Sequence, residues 1–211
     1  MPLTTTLKFS TRAANWNPLV IAWAVSIVLI VVTVAAMNPH PVNRMANLTI
    51  CLRVSAIIIG IGAAFALIDV MEPTFAAAPR PRRRRRWIRT GVAFVIGGTA
   101  WLVILAGAWA AFPATMTFPG PGFLAEGGMC VLTALAATAV PLRRRSDWTA
   151  GVMGCALTLT LCVATLFLTG PAWPWPWAGD PVWDTVHARW LGVLPIPIAV
   201  LLHANRDVVL T

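Results

Sequence analysis

Apolar positions along this chain come in long runs separated by short polar or proline-rich breaks. The runs cover about residues 18–37, 47–70, 91–112, 122–142, 148–169 and 190–204. A hydrocarbon core of ~30 Å takes about 20 residues of helix, which five of the six runs supply. Each run is predicted to be helical, because in lipid a segment must satisfy its own backbone groups. The alternating segments of ~10 residues that mark a membrane β-barrel are missing. The first run is too long for the ~7–15 residues of a signal-peptide core, and Asn38-Pro39-His40-Pro41 follows it in place of a small-x-small cleavage site. It is therefore expected to be a retained span. The sixth run is shorter, and Pro195 and Pro197 loosen it by removing backbone donors. The expected fold is an all-α polytopic membrane protein, with residues 1–211 forming a single six-helix transmembrane domain.

Composition supports this pattern. The chain is 58% apolar and 11% charged, with a mean hydropathy of +0.77, against about 25% charged in ordinary soluble domains. A soluble globule, a disordered chain and a disulfide scaffold are excluded, and no room is left for a soluble catalytic domain. The net charge of +9 does not point to a nucleic-acid partner, because it is concentrated in two inter-span loops. Arg80, Arg82, Arg83, Arg84, Arg85, Arg86 and Arg89 lie between the second and third spans, and Arg143, Arg144 and Arg145 between the fourth and fifth. Basic residues collect in cytoplasmic loops. Both loops, and hence both termini, are expected in the cytoplasm, where the arginines also suit anionic inner-leaflet lipid. The three outer loops then contain only Arg44 and Arg189 as basic residues. Cys51, Cys130, Cys155 and Cys162 all fall in apolar segments without Cys-x-x-Cys spacing, and read as small buried hydrophobes.

The fifth loop, residues 170–183, carries four tryptophans interleaved with proline. Such a stretch cannot form a long regular helix. It reads as an interfacial aromatic belt, or as an outer lid or partner-binding surface stiffened by proline.

Candidate chemistry is sparse. The chain has no nucleophile elbow, zinc-protease motif or phosphate-binding lysine loop. His40, His187 and His203 fall at or beyond the expected span ends without a second ligand on one helix face, so no metal site and no catalytic residue are expected. Arg53, Asp69 and Glu126 lie in or at the edge of spans, where ionisable groups are costly and usually face protein. Arg53 lies about six residues into the second span and Glu126 about four into the fourth, and both spans enter from outside, so both side chains sit roughly 6–9 Å deep. They are expected to form an intramembrane ion pair, within one subunit or across an interface.

The loop after the second span reads as a short punctuated helix. Glu72 suits a helix start, Pro73 the first helical position, and Thr74, Phe75, Ala76, Ala77 and Ala78 one or two turns that Pro79 and Pro81 terminate. An acid, a Thr-containing apolar stretch, a proline and then basic residues resemble the first cytoplasmic loop of ATP-binding-cassette exporters of the type-two permease superfamily. Pro73 stands where that family usually has glycine. Compact actinobacterial permeases of this kind look closer still: Glu72-Pro73, Pro79-Arg80-Pro81, the arginine run and Arg206-Asp207 follow their pattern.

That resemblance implies a permease subunit of a multi-pass transporter in a bacterial plasma membrane. Glu72, Pro73, Thr74, Phe75, Ala76, Ala77 and Pro79 would form a cytoplasmic coupling helix gripped by a separate ATPase subunit. ATP and Mg would be bound by that partner, with no cofactor on this chain. A second permease copy or a paralogue would complete the path. The path would be lined by spans one, two and five, and would export an amphiphilic or lipophilic cargo. Gly60, Gly62, Gly151 and Gly154 on those spans read first as close helix packing. The alternative reading is a non-transporting scaffold, immunity or accessory subunit that binds a partner through the Trp/Pro loop.

Overall fold

The computed structural model describes residues 15–36, 40–68, 82–144 and 148–206. Among these residues there is no strand. The α-helices are α1 (Asn17–Ala35), α2 (Pro41–Phe65), α3 (Arg82–Ala111), α4 (Gly120–Ala139), α5 (Trp148–Leu166), α6 (Trp183–Val193) and α7 (Pro195–Ala204). Single 3-10 turns follow α4 and α5, at Pro141–Arg143 and Gly170–Ala172. The chain stays in the helical region through Leu194, so α6 and α7 form one stretch with a local interruption. Pro195 and Pro197 cannot donate to Leu191 and Val193, which accounts for the break. Six helical segments are thus long and apolar enough to cross a membrane.

Three helices begin well before their apolar runs, α2 at Pro41 instead of about residue 47. α3, which follows the second loop, starts at Arg82 and spans 30 residues, so the arginine run is its first turns and not a loop. Arginine is a good helix former, and no proline follows Pro81 to stop propagation. No acid offsets the helix dipole there, so anionic head groups are the natural complement. The last segment likewise starts at Trp183 rather than near residue 190.

α2 and α4 form the centre, with 61% and 67% of their most apolar stretches buried, against 22–39% for the other four segments. α1 and α3 pack on α2, and α5 and α7 pack on α4. With no hydrophobic drive between helices in lipid, small residues set how closely they approach. A Cβ on Gly62 would lie 2.9 Å from the Leu19 Cα of α1, and one on Gly154 would meet the Thr138 backbone of α4 at 2.7 Å. Ser26, Thr49 and Thr158 return their hydroxyls to carbonyls one turn back, so few polar atoms need outside partners. The outer faces of α1, α5 and the α6–α7 stretch are apolar and open, with Val20, Ile21, Leu166, Leu191 and Ile196 all exposed. Apolar exposure on this scale belongs against acyl chains, not water.

Candidate functional site

Three helices bring a charged cluster together near one end of the bundle. Glu126 of α4 lies less than two turns from the helix start, and its side chain is 2% exposed. Arg53 of α2 donates to both carboxylate oxygens, Nη2 to Oε1 at 2.8 Å and Nε to Oε2 at 3.1 Å. This forked geometry is the strong form of a guanidinium–carboxylate pair. His187 of α6 places Nε2 3.0 Å from the same Oε1. Its Nδ1 lies 2.7 Å from the Trp183 carbonyl oxygen, one turn back. A carbonyl only accepts, so Nδ1 carries a proton, and the short axis between Nε2 and Oε1 needs another. The cluster is therefore Arg53, Glu126 and His187 joined by shared protons, with every hydrogen bond pointing at an acceptor.

The Trp/Pro loop closes over this cluster. Pro174 and Pro176 have no N–H, so the loop cannot build its own ladder and its carbonyls must find side-chain donors. Arg53 supplies two of them, Nη1 to Trp175 O at 3.2 Å and Nη2 to Pro176 O at 2.6 Å. Its guanidinium carbon also lies 5.4 Å from the Trp175 ring centroid, within cation–π range. Trp175 Nε1 donates to Thr165 Oγ1 at 2.8 Å, and Trp190 Nε1 to Pro174 O at 2.9 Å. Trp175 and Trp183 are buried, while Trp177 is 43% exposed. The loop is thus a cap tied inward, with Trp177 on its outer surface. Phe118, Phe123, Trp183 and His187 continue as a chain of ring contacts from the loop between α3 and α4 into the cluster. Gly122 makes this possible: a Cβ there would strike the Trp183 indole.

The structure brings together Arg53 and Glu126 and adds His187, which the sequence reading left outside the last span. The reason is the earlier start of α6, which carries His187 down to the level of Glu126. Asp69 and the segment with Glu72, Pro73, Thr74, Phe75, Ala76, Ala77 and Pro79 lie outside the described residues, as does Arg145. Arg82, Arg83, Arg84, Arg85 and Arg86 occupy the start of α3, the side chains of the first two being outside the described set. Arg86 Nη2 donates to Leu142 O at 3.0 Å, joining this basic start to the Arg143 and Arg144 turn. Gly60, Gly62, Gly151 and Gly154 all sit at helix–helix contacts. Among the described residues no three His, Cys, Asp or Glu side chains converge as a metal site.

Fold and cluster together define an all-helical chain with six helices long and apolar enough to cross a membrane, consistent with a multi-pass membrane protein, and with a capped, buried Arg–Glu–His centre. Compared with protein-family models, curated proteins and solved structures, the chain matches none.

Proposed function

We propose that the chain is the membrane subunit of an ATP-driven transporter of the ATP-binding-cassette exporter type, moving a lipophilic or amphiphilic cargo with a separate ATPase subunit. The observation that carries this reading is the segment between Ile68 and Arg82, with its ordered acid, prolines, threonine and small apolar residues. Its flanks support a force-transmitting role. Arg89 Nη1 donates to Leu67 O at 3.3 Å, so the end of α2 and the start of α3 are tied together on either side of the segment. A push on the 72–79 segment would then move two spans as a unit, as rigid-body alternating access requires. At the opposite end, Arg53 and its two cap carbonyls supply a latch between α2 and the Trp/Pro loop.

The scaffold alternative needs the tryptophan loop to face outward. Trp175 and Trp183 are spent on internal packing, which leaves Trp177 on the outer surface of the loop for a partner.

Co-purification tests the proposal. A tagged chain purified from its own membrane should bring down an ATPase subunit. Glu72→Arg and Phe75→Asp should each abolish retention while the chain still enters the membrane. Undiminished ATPase binding by both variants would overturn the assignment.

A further inference from the structure

A groove of about 1680 Å³ runs along the side of the bundle. Its floor is α4, from Met129 to Val140, and its walls are α5 and the α6–α7 stretch. It is larger than the ~300–1,000 Å³ typical of sites for drug-sized molecules. At 1.5 Å per residue the floor is roughly 16 Å long, about half of a ~30 Å hydrocarbon core. The groove is therefore about one leaflet deep. Its lining is almost wholly apolar, and the threonines on its α5 wall keep their hydroxyls occupied: Thr158 donates to Gly154 O, and Thr165 to Cys162 O. The far end is closed by Trp175 and Trp190.

The near end is different. Arg143, Arg144 and His203 line it, the first half-buried and the other two exposed. The described carboxylates, Glu126, Asp180 and Asp184, all lie at the capped end of the bundle, so none of them can neutralise these cations. The open apolar faces of α1, α5 and α7 likewise carry no described acid with which a second copy could meet them. The complement to this groove is a molecule with one anionic end and an apolar body one leaflet long.

We propose that the groove between α4, α5 and α7 holds one anionic phospholipid, its phosphate between Arg143, Arg144 and His203 and its acyl chains along Met129–Val140. The lipid comes from the leaflet on the arginine side. This site requires no ATPase, so its fate is separate from that of the transporter reading.

Native mass spectrometry of the full-length chain, titrated with phosphatidylglycerol or phosphatidylcholine, tests the site. One phosphatidylglycerol should be retained in preference to phosphatidylcholine. Arg143→Gln with Arg144→Gln should weaken that retention about thirtyfold, since each arginine near a lipid surface contributes about a factor of five. Arg84→Gln with Arg85→Gln, on the same end but outside the groove, should leave it unchanged. Leu157→Trp with Ile196→Trp fills the groove from two exposed wall positions without touching the core, and should abolish retention of either lipid. Equal retention of the two lipids, or indifference to the groove-filling pair, would overturn the proposal. So would a two-chain species that the filling pair converts to one chain, because the occupant would then be a second copy.

Discussion

Glu126 has both carboxylate oxygens engaged, and the cost of emptying either side is unequal. Removing Glu126 leaves Arg53 and His187 facing each other in a low-dielectric interior, where breaking a buried pair typically costs about 3–5 kcal/mol. Removing both together leaves neither half of the ion pair behind, although His187 Nε2 and the Trp175 and Pro176 carbonyls lose their partners. We therefore expect Glu126→Leu to lower thermal stability in detergent more than the double change Arg53→Met with Glu126→Leu. His187→Phe should keep the ring stack on Trp183, whose centroid lies 4.0 Å away, and lose one hydrogen bond to a charged group, about 1.5–3 kcal/mol. A double variant melting at or below the Glu126→Leu temperature would show that the pair is not coupled. Depth counting on two spans predicted that Arg53 and Glu126 meet, as they do, although α2 starts at Pro41, six residues before the start the count used. His187 escaped because Asp184, His187 and Arg189 depress hydropathy in the turns that carry it. Extending the last span two turns upstream would have put His187 four residues in, at the depth of Glu126.

At the scale of elements, the apolar runs marked every membrane crossing, but charge hid the true starts of α3 and α6. Hydropathy reads arginine as loop, whereas helix propensity does not. The cap was harder to read. Proline and tryptophan declared an irregular, stiff segment, yet its inward direction depends on partners far away in sequence: Arg53 at the Trp175 and Pro176 carbonyls, and Thr165 at the Trp175 indole. The glycines separate into two kinds that sequence spacing does not distinguish. Gly62 faces the Leu19 Cα and Pro18 carbonyl of α1, which are backbone and cannot swing aside, whereas Gly98 on α3 faces open space. Gly62→Val should cost about 1–3 kcal/mol through overpacking. Gly98→Ala should be neutral or stabilising by up to about 1 kcal/mol. Melting temperatures of the two purified variants give the comparison, and equal losses at both positions would mean that the α1–α2 contact is not close.

For the whole molecule, charge divides by end. The described carboxylates lie at or under the cap, while Arg84, Arg85, Arg86, Arg143 and Arg144 lie at the other end, joined there by the bond from Arg86 to the Leu142 carbonyl. With six candidate crossings, the first begins at Asn17 and the last ends at Ala204 on the arginine side. Since basic residues near span ends resist translocation, that side should be the cytoplasm, and the capped Arg–Glu–His centre should face outward. A C-terminal alkaline phosphatase fusion reads this directly, because the enzyme forms its disulfides only in an oxidising compartment. The wild-type fusion should be inactive, and a fluorescent-protein fusion at the same position should be bright. Replacing the five described arginines with glutamine should weaken the bias and yield a phosphatase-active fraction. The asymmetry also constrains mechanism. On the transporter reading proposed above, a motor at the arginine end would act on the latch through α2, which Arg89 ties to α3 at that end and which carries Arg53 at its middle. An active wild-type phosphatase fusion would put the cap in the cytoplasm and invert that lever, so that an ATPase would have to grip tryptophans instead of the 72–79 segment.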